Sequence, residues 1–242
     1  MIIWFATGNG HKRDELASIL SGAISTNNTG ERDLIELKIP GDLGIDFNPE
    51  ETGADFLENA LIKARELKFL LEKHKFPPNS AEDPVIAEDS GICVDALGGK
   101  PGIHSARYCG RYSGRYGSGS GRGGNDGKSL SAAEKNALLL EELAEELKNA
   151  PPALAKGRKA RFVCSMVLYF NRDRFYAVQE TVEGELVKSI ETAAGKGGFG
   201  YDPIFYIPEL GRTMAELSAE EKNRLSHRGK AGRLIGRLLC RA

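Results

Sequence analysis

Hydrophobic positions along the chain follow two periods, and together they predict strands interleaved with helices. Ile2-Ile3-Trp4-Phe5-Ala6 is an unbroken apolar run, the pattern of a buried strand, and Thr7-Gly8-Asn9-Gly10 behind it predicts a loop. Leu16, Ile19 and Leu20 then recur at helical spacing. After a polar stretch from Ser25 to Asp33, Ile35, Leu37 and Ile39 alternate as a short strand that Pro40-Gly41 ends. A long helix is marked at its start by Asp55 and Glu58, a capping pair, and along its length by the stripe Phe56, Ala60, Leu61, Ala64, Leu67 and Leu71. It should stop near Phe76-Pro77-Pro78. Val85-Ile86-Ala87 predicts a strand end, a turn is expected at Glu88-Asp89-Ser90-Gly91, and Ile92, Val94 and Ala96 alternate as a strand leaving it.

The second half repeats the mixture. Ser131 with Glu134 opens a helix whose inward face is Leu138, Leu139, Leu143 and Leu147. Arg161 to Phe170 and Phe175 to Val182 predict a β-hairpin, and Leu186 to Ile190 a further strand. Two closing helices are capped by Ser218 with Glu221 and by Ser226, the last carrying Leu234, Ile235, Leu238 and Leu239. The expectation is an α/β fold with a mixed sheet. Residues 110–128, dominated by glycine, serine and arginine, predict a mobile loop, because such a composition buries too little surface to order itself.

Length and composition narrow the picture. At 242 residues, 40% hydrophobic and 28% charged, the chain has the makings of a single globular domain over 1–242. A net charge of −1 with both signs interspersed leaves no basic face for polymeric nucleic acid. Cys93, Cys109, Cys164 and Cys240 form no C-x-x-C pair, which points to a reducing cytoplasm. The first residues show no basic leader, and no segment approaches the roughly 18 apolar residues that span a bilayer, so neither secretion nor membrane insertion is expected.

Three segments carry candidate chemistry. Glu88 and Asp89 are adjacent carboxylates, a donor type suited to a hard cation such as magnesium, which leaves positions open for substrate phosphates. Thr7 to Lys12 joins a strand to a helix start, where backbone N–H groups and a lysine make an anion site. Gly197-Gly198-Phe199-Gly200-Tyr201-Asp202-Pro203 sets an aromatic ring among glycines, fit for stacking on a planar base, with Asp202 for its polar edge. Lys222 and the helix start Ser226-His227-Arg228-Gly229 add donors. Gly119-x-Gly121-x-x-Gly124 and Gly195-x-Gly197-x-x-Gly200 match G-x-G-x-x-G, but neither follows a strand and opens a helix. Gly127-Lys128-Ser129 lacks the earlier glycine of a phosphate loop, since that position is Arg122. His11, His74 and His104 have no zinc-like spacing.

In order along the chain, several motifs together resemble the inosine triphosphate pyrophosphatase family. They are Thr7-Gly8-Asn9 with Lys12 and Glu15; Phe56-x-Glu58-Asn59-Ala60 with Lys63-Ala64; Asp89-Ser90-Gly91 with Ala96-Leu97-Gly98-Gly99-x-Pro101-Gly102 and Ser105-Ala106-Arg107-Tyr108; Gly198 to Pro203; and Ser226 to Ala231. The resemblance implies a mixed twisted β-sheet with flanking helices, two lobes around a central cleft, and commonly a homodimer. It implies magnesium-dependent hydrolysis of ITP, dITP and XTP to the monophosphate and pyrophosphate. Asp89 would be proton acceptor and metal ligand, with Glu50 the second carboxylate and Glu51 and Glu88 as rivals. Thr7, Gly8, Asn9, Gly10, His11, Lys12 and Ser90 would meet the triphosphate; Phe199 would stack on the base; Gly200, Tyr201, Asp202, Lys222, His227 and Arg228 would surround its edge and phosphates. Donors from His227 and Arg228 would favour a base with oxygen at position 6 over adenine. Two departures stand out: Glu88 replaces an aspartate common in bacterial members, and residues 77–83 and 110–128 are longer than the family's pattern. The alternatives are a Maf-like dTTP or UTP pyrophosphatase, whose first loop resembles Ser-x-Ser-Pro-Arg, and a non-catalytic nucleotide-binding protein, which would need a broken metal site.

Overall fold

The computed structural model describes residues 1–23, 35–74, 82–109, 130–150, 157–195 and 200–240. The loop expected at 110–128 and Phe199 fall outside them. The described strands are β1 (Ile2–Phe5), β2 (Glu36–Lys38), β3 (Val85–Val94), β4 (Lys159–Asn171), β5 (Arg174–Leu186), β6 (Phe205–Ile207) and β7 (Arg212–Thr213). The described helices are α1 (Gly10–Ala23), α2 (Phe56–His74), α3 (Ala132–Asn149), α4 (Ala219–Leu225) and α5 (His227–Leu239). The strands join in one sheet of order β2-β1-β3-β4-β5-β6-β7. It is mixed, as the alternation of strand and helix patterns implies: β1 runs parallel to β2 and β3, whereas β6 runs antiparallel to β5 and β7.

Two sequence expectations change. Glu88-Asp89-Ser90-Gly91 is no turn, because β3 continues through it to Val94. Serine and glycine often end a strand that stands alone, but β3 is interior to the sheet, between β1 and β4, and membership of a sheet keeps a strand extended where its local sequence would let it turn. Likewise Leu186 to Ile190 is no separate strand. β5 itself reaches Leu186, and Ile190–Thr192 is a 3-10 turn with Ile190 exposed.

The chain divides into two compact units. The first holds Met1–Asp89, Cys164–Glu180 and Asn223–Ala242. Its strands bury two apolar faces. One gathers Ile3, Phe5, Ile86 and Cys164 with Leu16 and Leu20 of α1 and Ala231, Ile235 and Leu239 of α5. The other gathers Trp4, Val85 and Ala87 with Ala60, Ala64, Leu67 and Leu71 of α2. Residues alternate between the faces because side chains along a strand do so. The α2 stripe is buried as its spacing predicts, apart from the partly buried Leu61, and its start is capped by Asp55, which accepts from the Glu58 amide at 2.8 Å. The second unit holds Ser90–Val163 and Thr181–Lys222. Here Ser131 and Glu134 form the capping box of α3, and Leu139, Leu140 and Leu143 are buried.

Within the first unit α5 packs closely at two glycines. A Cβ on Gly229 would lie 1.9 Å from the Asn223 carbonyl oxygen, and one on Gly232 would lie 2.8 Å from Ile19. Backbone cannot give way as a side chain can, so Gly229→Ala should destabilise the protein by about 2 kcal/mol or more. Gly22, in α1, has open space around it, and Gly22→Ala should stabilise by up to about 1 kcal/mol. Urea unfolding of both variants beside wild type checks the pair.

Candidate active site

Glu88 and Asp89 are consecutive in β3, so their side chains leave opposite faces of the strand, and each meets a different set of partners. Glu88 shares its face with Ile86, toward α1 and α5. There its two carboxylate oxygens accept from Nη2 and Nε of Arg228, at 2.9 and 2.8 Å, while Nζ of Lys12 stands 3.1 Å away. Nη1 of Arg228 donates to Glu15 at 2.8 Å, and the Cys164 thiol donates to Glu88 at 3.7 Å. Glu88 and Arg228 are only 2% and 6% exposed. Burial alone would raise the Glu88 pKa, but Arg228 and then Lys12 overcome it and hold the carboxyl well below the usual range. Burial likewise disfavours the charge on Arg228, and Glu88 and Glu15 more than restore it.

Asp89 shares the other face with Val85 and Ala87, toward α2. Its oxygens accept from Nζ of Lys63 at 2.8 Å and Nδ2 of Asn59 at 3.3 Å. Asn59 and Lys63 lie four apart, one helical turn, which brings both to the same side of α2. Lys63 also contacts Glu51 at 2.6 Å and donates to the Glu88 carbonyl oxygen at 3.2 Å. Burial raises the Asp89 pKa above its ordinary value, Lys63 opposes, and the Glu51 charge adds to the rise. Lys63 is held charged: burial works against its proton, and Asp89 and Glu51 outweigh it. A carboxylate that is buried, oriented by two donors and raised in pKa has the properties of a general base.

The first loop is built on Asn9. Its Oδ1 accepts from the amides of His11 and Lys12, at 2.9 and 3.3 Å, and caps α1. Its own amide donates to Thr7 Oγ1 at 3.1 Å. Thr7 to Lys12 thus form an ordered loop ahead of a helix N-terminus, and Lys12 leans from it to Glu88. Glu50 is exposed and has no ion pair among the described residues. His227 opens α5 and is buried, beside Arg228.

In the second unit, Gly200, Tyr201 and Asp202 are tied one by one. Asn136 donates to the Gly200 carbonyl at 3.2 Å, the Tyr201 hydroxyl to the Ser105 carbonyl at 2.8 Å, and Lys222 pairs with Asp202 at 2.7 Å. Tyr201 and Asp202 are buried. Ser90 is half-buried at the start of this unit's share of β3.

Four of these groups were given no role by the sequence reading: Asn59, Lys63, Glu15 and Asn136. A signal existed for the α2 pair, since Asn59 and Lys63 interrupt the flanks of an apolar stripe at helical spacing. None existed for Asn136, whose partner is 64 residues away.

The sequence profile of the Ham1 family matches residues 3–236. A dITP/XTP pyrophosphatase of Treponema denticola is 40% identical over 239 residues, covering 99% of this chain and 98% of that protein. The dITP/XTP pyrophosphatase of Escherichia coli is 39% identical over 231 residues, 95% of this chain and 93% of its own. Among solved structures, a HAM1 protein from Coxiella burnetii superposes with a TM-score of 0.73 at 31% identity, over the whole of both chains.

The buried pair yields a prediction about stability. A depressed Glu88 pKa contributes stability that is present above the unfolded pKa, about 4.3, and is lost as pH falls below it. Arg228→Met removes the main cause of that depression and leaves a buried carboxylate short of its counter-charge. It should cost about 3–5 kcal/mol at pH 7. The loss should shrink as pH falls toward 4, because a protonated Glu88 no longer needs the arginine. Urea unfolding of both proteins across pH 4 to 7, in the presence of a chelator, measures the difference.

Proposed function

The chain belongs to the Ham1 family, and we propose that it hydrolyses the non-standard purine nucleoside triphosphates dITP, XTP and ITP to nucleoside monophosphate and pyrophosphate. The observation that carries the reading is Asp89, buried on an interior strand, aimed by Lys63 and Asn59, and raised in pKa. Asp89 takes a proton from the attacking water. The water oxygen bonds to the α-phosphorus, and the bond from that phosphorus to the bridging oxygen of the β-phosphate breaks, releasing pyrophosphate. The amino-terminal loop, Thr7 to Lys12 with Ser90, binds phosphate oxygens.

The donor set fits magnesium. That ion is commonly held by one or two protein carboxylates, with water and substrate phosphates completing its shell. Among the described residues no three histidine, cysteine or carboxylate side chains gather as a closed site would need. Asp89 would be one ligand. Glu50 would be the second, since its carboxylate is exposed and has no ion pair among the described residues; Glu51, which shares Lys63 with Asp89, is the rival, and Glu88 is committed to Arg228 and Lys12. When bound, the ion neutralises charge on the phosphate oxygens and lowers the pKa of water.

The base is held by Gly200, Tyr201, Asp202 and Lys222 with Phe199. Arg228 is fixed by Glu88 and Glu15, so it acts with His227 through a rigid hydrogen-bonding frame. We infer also a cytoplasmic homodimer. None of the four cysteines is in a disulfide, and Phe175 and Tyr176 stay 40% and 36% exposed on β5. No described helix is long and apolar enough to cross a membrane.

Pyrophosphate release from dITP, XTP and ITP, measured beside ATP, GTP, dTTP and UTP with magnesium varied, tests the function. Turnover of dTTP or UTP in place of the purines would favour the Maf-like alternative. Asp89→Asn should lower kcat by roughly 10² to 10⁴ fold with the urea midpoint little changed, since it removes the general base. Retention of kcat within a few-fold would remove Asp89 from the mechanism. Glu50→Gln should raise the magnesium concentration for half-maximal rate by about tenfold or more, and Glu51→Gln by much less, because magnesium shells rely on few protein carboxylates. The reverse order would assign the second ligand to Glu51.

A further inference from the structure

We propose that Asn136 is a positioning residue for the base-holding turn Gly200–Asp202, and that its free acceptor is filled when a purine base binds. The proposal rests on the reading above that this turn holds the base. α3 buries Leu139, Leu140 and Leu143, and Asn136 occupies the preceding place on that same stripe at 4% exposure. An apolar side chain there would match the helix's own pattern, and breaks in such a pattern concentrate at functional sites. Nδ2 of Asn136 donates to the Gly200 carbonyl at 3.2 Å. Gly200 has φ of 62°, a conformation that favours glycine, so the turn's direction is set by its backbone and by what holds that carbonyl.

The amide is only half used. Among the described residues Oδ1 of Asn136 is buried and has no hydrogen-bond partner. Buried polar atoms in folded proteins are nearly all paired, and leaving one unpaired works against folding. Tyr201 and Asp202, by contrast, are anchored to Ser105 and Lys222 by groups exposed to no such cost. Asn136 therefore anchors Gly200 while keeping a buried acceptor in reserve, and the ligand that acceptor suits is an N–H donor brought by the base.

Asn136→Leu separates this role from a structural one. The leucine fills the stripe and removes the orphan acceptor, so the variant should unfold at a urea midpoint equal to or above wild type. Its KM for dITP and XTP should nevertheless rise by about 3 to 10 fold, the worth of one hydrogen bond, with kcat within twofold. Inhibition by pyrophosphate, which lacks a base, should be unchanged. A wild-type KM in the folded Leu variant overturns the proposal. So does a fall in kcat together with weakened pyrophosphate inhibition, which would make Asn136 a general support. Should the Leu variant fail to fold, Asn136→Ala is judged by the same KM and inhibition criteria, and failure of both to fold assigns Asn136 to structure alone. Absence of pyrophosphate release by wild type from any of the three purine nucleotides would be a failure of the proposed function itself, visible before any variant is made.

Discussion

Glu88 and Asp89 are neighbours on an interior strand, and the two-residue period of a strand sends them to opposite sides of it. Everything distinctive in the first unit follows from that separation. Side by side in a loop, the two carboxylates would repel and compete for one cation. Across the strand they have separate partners and opposite pKa shifts, Glu88 down and Asp89 up. One is thereby locked as a permanent charge and the other is left able to exchange a proton. Two acids differing by one methylene thus acquire different chemistry from their surroundings alone.

The Glu88 side shows what the longer side chain does. A bidentate grip on Arg228, with Lys12 as third partner, needs a carboxylate that reaches between α1 and α5. The Glu88 carboxylate is committed to Arg228 and Lys12 among the described residues. A buried ion pair of this kind is an uncertain source of net stability, since desolvation offsets much of the attraction. Its value here is orientation. It fixes the first turn of α5 against the first loop, where Asn9 caps α1.

The second unit solves a related problem without charge at every point. Gly200, Tyr201 and Asp202 are each tied to a different element, so the turn is held by three directions of force. Such bracing suits the base-holding role proposed for the turn, because a loose turn would lose ordering entropy on binding a rigid planar group. Packing elsewhere leaves little slack, as the close approach at Gly229 illustrates in the first unit.

Most elements were legible in the sequence because local signals mark them. The α2 stripe and its Asp55 cap, the Ser131 capping box, and the apolar run of β1 all depend on residues within a turn or two of one another. The resemblance of ordered motifs also made the family legible, since short spacings in one chain carry that information. Local signals misled where the sheet governs: Ser90-Gly91 reads as a turn, yet β3, an interior strand, stays extended through it to Val94. The same limit hid the partners of the charged groups. Arg228 meets Glu88 across 140 residues and Asn136 meets Gly200 across 64, so only the folded chain decides that one arginine is spent on an internal ion pair and that one asparagine keeps an acceptor in reserve. The sequence by itself determined which residues form strands, helices and caps and which chemical groups are available; the tertiary structure decided which of them are buried together, because burial and opposing charge, not residue type, set their pKa and their freedom to act.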